Sequence, residues 1–406
     1  MLEVNDKFYE FPDDSVIGIC MDGTSMDYYR EAAAVMPNLQ RFLKEGSSGE
    51  VSSVIPSYTN PNNMAIITGV PPNQNGINGN YYWDTKTGKE ILMNDPELLQ
   101  ADSILSKFSC QGIKTGVVTA KDKLRKLLHK DLNGICFSIE KAAEATKETN
   151  GISQVEKLFS KKIPGIYDPD ASIFCLEAGI NLLDQYGCRI IYLTTTDYVQ
   201  HKYAPGETEA NAFFAKMDDI LGRLDQRGVL IGITADHGMN SKTRADGTPK
   251  IEFLETVLKE KGMESVRVIL PITDPYVVHH GALGSFAMIY IENSQHLLPS
   301  MEILRSLNGI EAVYTKDEAC TKFQLPPDKT GDLVVLGDIH TVLGKTRDWH
   351  DLSAVQNGLR SHGGLHESRI PLIFNRRLTE KYEQRLQEGN SCNYHLFDFL
   401  FNGFKS

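Results

Sequence analysis

Three apolar, β-branched runs that each end in an aspartate constrain this chain more than any other feature. They are residues 15–22 (Ser-Val-Ile-Gly-Ile-Cys-Met-Asp), 189–197 (Arg-Ile-Ile-Tyr-Leu-Thr-Thr-Thr-Asp) and 228–236 (Gly-Val-Leu-Ile-Gly-Ile-Thr-Ala-Asp). Nearly unbroken apolar runs of this length read as strands covered on both faces, the mark of a parallel sheet flanked by helices. Residues 116–119, 134–138 and 370–374 read as further strands, and helical patterns at 37–45, 101–108, 171–186 and 208–227 fall between them. Strands alternating with helices predict an α/β fold, a doubly wound, mainly parallel sheet. Ligands of such sheets sit beyond the carboxyl ends of the strands, so Asp22, Asp197 and Asp236 are expected to face one crevice.

From about residue 250 to 336 the texture changes to short strands and helices, which predicts a smaller α+β cap domain inserted at 244–350. The core is then built from 1–243 and 351–406. A hydrophobic fraction of 41% with 23% charged residues is globular composition. No apolar run approaches the ~18 residues of a membrane helix, which argues against a membrane partner. Fifty-three acidic against 42 basic residues give a net charge of -11, which repels phosphate backbones and argues against nucleic acid. The first residues carry neither the basic nor the apolar region of a signal peptide, and seven cysteines form no C-x-x-C pair. A reduced, cytoplasmic setting is the expectation. A homodimer is left open.

Four segments carry groups suited to chemistry, and each alone also has a plain structural reading. Asp197 and His201, four apart where a strand runs into a turn, can face one ion, or be an incidental pair. Asp236 and His237 are adjacent, so both serve one region only if the strand has ended, which Gly238 permits; otherwise Asp236 is a helix cap. Arg360-Ser-His362-Gly-Gly-Leu-His366-Glu367 lets backbone approach a ligand closely, or is a surface turn. In residues 56–69, Asn-Pro-Asn-Asn opens a helix and leaves Thr59 near its N-terminus, where an anion is favoured, or where a threonine simply caps. Gly344-Lys345-Thr346 imitates a P-loop but lacks its first glycine, and His279-His280 reads as structural or cap surface.

Taken in order, these segments resemble the alkaline phosphatase superfamily in its nucleotide pyrophosphatase/phosphodiesterase-like branch. The matching motifs are Asp22-Gly23, Thr59-Asn60-Pro61-Asn62, Gly76-Ile77-Asn78-Gly79-Asn80, Asp197 with His201, Asp236-His237-Gly238-Met239 and His362-Gly363. The resemblance runs from about residue 15 to 375, nearly the whole chain. Within the branch, Ser57-Tyr58-Thr59-Asn60-Pro61-Asn62-Asn63, Gly79-Asn80-Tyr81-Tyr82-Trp83, Thr119-Ala120-Lys121-Asp122-Lys123 and Ser361-His362-Gly363-Gly364-Leu365 are similar to the phosphonoacetate hydrolase family.

The resemblance implies an alkaline phosphatase-like core and hydrolysis of the carbon–phosphorus bond of a small phosphonate, phosphonoacetate, to acetate and phosphate. It implies two zinc ions per chain, one held by Asp22, Thr59, Asp236 and His237 and the other by Asp197, His201 and His362. Thr59 would be the nucleophile, passing through a phosphothreonine; Asn80 would bond a phosphoryl oxygen, and Lys121 and Lys123 the substrate carboxylate. His362 has the expected His-Gly context, and His366 lies four residues on. Chemistry agrees with these roles: two zinc ions about 3.5–4 Å apart clamp both sides of an in-line displacement, and coordination lowers a hydroxyl pKa. A carbanion leaves poorly unless its charge spreads into the neighbouring carboxylate with cations waiting there. A dizinc nucleotide pyrophosphatase/phosphodiesterase on the same ligands is the alternative.

Overall fold

A computed structural model describes residues 1–404 apart from 160, 166 and 273–279. His279 lies outside the described residues. In chain order the first strands of the main sheet are β1 (Val16–Cys20), β2 (Ser47–Ser52), β3 (Thr115–Thr119), β4 (Ile135–Ser138), β5 (Ile190–Thr194) and β6 (Leu230–Thr234). Strands β7 (Val266–Ile269), β8 (Phe286–Ile291), β9 (Ile310–Thr315) and β10 (Leu333–Gly337) form a separate sheet, and β11 (Arg369–Phe374) returns to the first. The main sheet has seven strands in the order β2-β11-β6-β1-β5-β3-β4. From β6 to β4 every neighbour is parallel, while β11 runs antiparallel to both β6 and β2.

The sheet is buried on both faces because its central strands are apolar at odd and even positions alike. Ile17, Ile19, Ile191, Leu193, Ile231 and Ile233 face one helical layer, while Val16, Cys20, Ile190, Tyr192 and Leu230 face the other. The helices that pack on this sheet or lead from it to the site include α1 (Thr59–Thr68), α2 (Asp122–Leu128), α3 (Asp170–Tyr186), α4 (Tyr198–Lys202) and α5 (Thr208–Asp225). Helices α3 and α5 cover the first face, and α1 and α2 the second. This is the doubly wound, mainly parallel α/β architecture expected. The edge strand β2 was not expected: Ser-Ser-Gly-Glu-Val-Ser has no apolar run, and it is held by pairing with β11 along six positions.

Between β6 and β11 the four antiparallel strands, in the order β7-β8-β10-β9, build their own core around Val268, Phe286, Met288, Leu304 and Val335. The chain enters and leaves this part through two short ladders, Asn240–Ser241 with Arg360–Ser361 and Ile251–Phe253 with Val342–Gly344. Among the described residues no helix is long and apolar enough to cross a membrane. All seven cysteines are free thiols.

Candidate active site

Strands β6, β1 and β5 lie side by side, so their carboxyl ends bring Asp236, Asp22 and Asp197 to one rim. All three carboxylates are buried. Gly23 makes the approach possible: its φ is +71°, and a Cβ there would lie 2.8 Å from that of Asp197. Strand β6 ends at Thr234, so Asp236 and His237 are freed from strand alternation and both turn inward. Asp236 Oδ1 accepts from the backbone N–H groups of Gly23 (3.1 Å) and His237 (3.0 Å), which leaves Oδ2 facing the other ligands.

Three imidazoles close the site, and each is oriented by a backbone carbonyl. The Nδ1 atoms of His201, His237 and His362 lie 2.7, 2.8 and 2.9 Å from the carbonyl oxygens of Arg360, Gly238 and Ser57. Donation from Nδ1 leaves Nε2 with a lone pair aimed at the carboxylates, the usual outer support of a metal-binding histidine. His237 Nε2 stands 3.3 Å from Asp22 Oδ1, 3.5 Å from Thr59 Oγ1 and 3.7 Å from Asp236 Oδ2. Asp197 Oδ2 stands 2.9 Å from His201 Nε2 and 3.7 Å from His362 Nε2. Two groups, Asp22 with Asp197 and His237, and Asp197 with His201 and His362, each bring their ligand atoms within 4.8 Å of one another.

A carboxylate facing an imidazole nitrogen is satisfied by a cation or a proton held between them. Asp22 Oδ1 and Asp236 Oδ2 are buried without a hydrogen-bond partner among the described residues, as ligands awaiting a cation would be. Carboxylate oxygen and imidazole nitrogen donors in this number fit zinc. His366 is not among them: it is partly exposed and pairs with Glu311 at 2.8 Å.

Thr59 is the first residue of α1, as the sequence predicts, and is only half-buried. The asparagines after it brace the turn: Asn62 Nδ2 donates to Tyr58 O (2.9 Å), Asn63 Nδ2 to Thr59 O (2.9 Å), and Tyr192 Oη to Asn63 Oδ1 (2.7 Å). Asn60 Nδ2 donates to Met93 O (2.7 Å) and Gly79 O (3.4 Å), tying Asn80's segment to the turn that carries Thr59. The Oδ1 of Asn80 is buried without a hydrogen-bond partner among the described residues.

Lys121, at the N-cap of α2, reaches into the acidic rim, its Nζ 2.9 Å from Asp22 Oδ2 and 2.7 Å from Asp197 Oδ1. Lys123 is exposed and lines a shallow surface pocket with Asp122, Lys126, Glu140 and Lys141. The buried charges push one another in opposite directions. Burial, reinforced by Asp22, raises the Asp236 carboxyl to about 7. Burial disfavours an imidazolium at His237, but Asp236 and Asp22 outweigh it and raise the ring to about 9. Burial and the neighbouring His237 push His362 well below the ordinary imidazole range. Burial also opposes the charge on Asp197, yet Lys121 and His201 hold that carboxyl well below the usual range.

The sequence pattern of the type I phosphodiesterase / nucleotide pyrophosphatase family matches residues 16–366. The chain belongs to that family. It is similar over 99% of its length, at 43% identity and a TM-score of 0.93, to phosphonoacetate hydrolase from Sinorhizobium meliloti 1021 solved in complex with phosphonoacetate, 98% of which is covered. Murine ectonucleotide pyrophosphatase / phosphodiesterase 5 shares the fold at 16% identity and a TM-score of 0.66, over 95% of this chain and 94% of that one. An uncharacterized pyrophosphatase/phosphodiesterase of Schizosaccharomyces pombe is 26% identical over 237 residues, 55% of this chain and 44% of that protein. The chain thus spans less than half the length of that curated relative. Family and fold agree with the alkaline phosphatase-like resemblance, and members of the family are hydrolases.

Several contacts around the site are not legible from the sequence. Tyr58 packs edge-on against His362, with ring centroids 5.4 Å apart, and Gly363 at φ +114° would drive a Cβ to 2.3 Å from the Tyr58 ring. Arg360 donates to Gln200 O (2.8 Å) while its own carbonyl holds His201. His280, which the sequence offers as structural or cap surface, is buried and stacks on His201 at 5.0 Å. Only the Gly-Gly pair hinted at the first of these, since nothing local in a sequence reveals which side chains a turn will meet.

Proposed function

We propose that this protein hydrolyses the carbon–phosphorus bond of phosphonoacetate to acetate and phosphate. The observation that carries the reading is its likeness to phosphonoacetate hydrolase, 43% identity over 99% of the chain, in a site where Lys121 joins the carboxylate–imidazole cluster. We assign two zinc ions per chain, one to Asp22, Thr59, Asp236 and His237 and the other to Asp197, His201 and His362. Bound there, zinc would supply Lewis acidity that lowers the Thr59 hydroxyl pKa, screen the phosphonate charge, and satisfy the carboxylates that otherwise hold Lys121.

In this reading Thr59 Oγ attacks phosphorus as the C–P bond breaks. The electron pair of that bond moves to the methylene carbon and spreads into the substrate carboxylate. Lys121 holds the carboxylate from the rim and Lys123, exposed two residues on, swings in to join it, and their charge acts more strongly as negative charge accumulates there. The Thr59 hydroxyl proton passes to solvent, and a proton from solvent water adds to the carbon and releases acetate. Water then cleaves the phosphothreonine, restoring the Thr59 hydroxyl and releasing phosphate. Asn80 steadies a phosphoryl oxygen through its Nδ2. We further read residues 244–350 as a cap domain inserted into a core of 1–243 and 351–406. The free cysteines support a reducing, cytoplasmic location.

The family match over residues 16–366 favours a second reading, a nucleotide pyrophosphatase or phosphodiesterase on the same ligands. Supplying zinc-loaded protein with phosphonoacetate and bis-nitrophenyl phosphate in parallel separates the two. Release of acetate and phosphate supports the first reading; cleavage of the diester alone supports the second.

A further inference from the structure

A buried ion pair outside the ligand groups joins the two turns that carry His237 and His362. Lys242 and Glu367 are both 0% exposed, with Lys242 Nζ 2.9 Å from Glu367 Oε1. Nζ also donates to Ile339 O at 2.9 Å. Glu367 Oε1 accepts from Asn240 Nδ2 (2.7 Å), and Oε2 accepts from the Gly364 N–H (3.1 Å). The backbone oxygen of Glu367 accepts from the Gly238 N–H at 2.6 Å. One residue therefore grips the position directly after His237 and the position two beyond His362. Between the grips, Asn240 pairs with Ser361 and Ser241 with Arg360, so the two ligand-bearing segments run as a short zipper.

Neither residue faces the reacting groups, and a buried ion pair is costly to desolvate and adds little net stability. What this pair does supply is geometry. A single carboxylate can accept from an ammonium, a side-chain amide and a backbone N–H together, which an apolar filler of the same volume cannot do. The rings it brackets, His237 and His362, lie parallel with centroids 3.5 Å apart. A rotation of either turn would separate their Nε2 atoms.

We propose that Lys242 and Glu367 are positioning residues that fix His237 against His362 and so set the metal affinity of the site, a proposal resting on the reading of that cluster as a zinc site. The full-length chain is stripped of metal, and zinc affinity is measured by competition with a chromophoric chelator beside the thermal midpoint. The Lys242→Met/Glu367→Leu double variant leaves no buried charge unpaired, though it strips the Gly364 N–H of its acceptor, so it should fold with a thermal midpoint lowered by a few degrees. Its zinc affinity should nonetheless fall about 10- to 100-fold. Wild-type zinc affinity in the folded double variant would overturn the proposal.

Should the double variant not fold, Glu367→Gln serves, since it is nearly isosteric and still offers Lys242 an acceptor, with a lowered thermal midpoint expected because the buried ammonium loses its counter-charge. It should bind zinc about tenfold more weakly and change the visible spectrum of the cobalt-substituted protein. An unchanged affinity with an unchanged cobalt spectrum would overturn the proposal as well. Wild-type protein that takes up no zinc would overturn the zinc reading, and the proposal with it.

Discussion

The rings of His237 and His362 lie face to face, their centroids 3.5 Å apart and their planes within 4°. They come from distant parts of the chain, one from the turn after β6 and the other from the loop before β11. Their surroundings divide the charge between them: Asp236 and Asp22 favour a protonated His237, whereas burial and that neighbour keep His362 neutral. Two cations stacked at this distance would repel, so the pair suits ligands better than a charged cluster.

Replacement of His362 separates the two late histidines. His362→Ala should cut zinc content from about two ions per chain to about one, whereas His366→Ala, which loses only a partly exposed pair with Glu311, should retain about two. Elemental analysis of the purified variants measures this. The opposite ranking would show that His366 is the ligand.

Thr59→Ala removes the proposed nucleophile and leaves the carboxylates and imidazoles in place. Turnover of phosphonoacetate should fall about a thousandfold or more while the substrate still binds. Single-turnover kinetics beside equilibrium binding make the comparison. Turnover close to wild type would point instead to direct attack by water.

The protons on the metal-free site give a dependence on pH. Zinc held by the proposed ligands would take the ionised form of Asp236 and the neutral form of His237, and in metal-free protein these groups hold protons up to about 7 and about 9. Zinc uptake near neutrality should therefore release protons, and affinity should rise with pH until about 9, roughly tenfold per unit for each proton released. Calorimetry in buffers of different ionisation heat counts those protons. An affinity flat with pH across this window would contradict the assigned ligands.

Most of the core was legible because β1, β5 and β6 are buried on both faces and so are written as unbroken apolar runs, each with its aspartate just beyond. β2 was not, because an edge strand needs apolar residues on little of its surface. β9 and the helix Lys316–Phe323 were also missed, although Thr315 and Glu318 form a capping box that Thr-x-x-Glu announces. In the site, residue identities were legible from the motifs, whereas their mutual support was not. The hold of Ser57 on His362, for example, joins residues 305 positions apart.

The lysines test substrate choice, since the metal ligands alone cannot select a phosphonate. Lys121→Ala and Lys123→Ala should each lower kcat/KM for phosphonoacetate, by about 100-fold for the stronger, if their charge stabilises the departing carbon. A nitrophenyl ester carries its own good leaving group and should be hydrolysed about as well as before. The readout is the ratio of the two activities. Equal losses on both substrates would assign the lysines to general phosphate attraction, or, for Lys121, to balancing the charge of Asp22 and Asp197.

Phosphorus NMR of zinc-loaded protein mixed with phosphonoacetate follows the C–P bond itself. The phosphonate resonance should decay as inorganic phosphate grows in equal amount, with acetate accumulating in step, and chelation should stop all three. A phosphonate resonance that persists while the same sample cleaves bis-nitrophenyl phosphate would contradict C–P hydrolysis and leave the chain a phosphodiesterase.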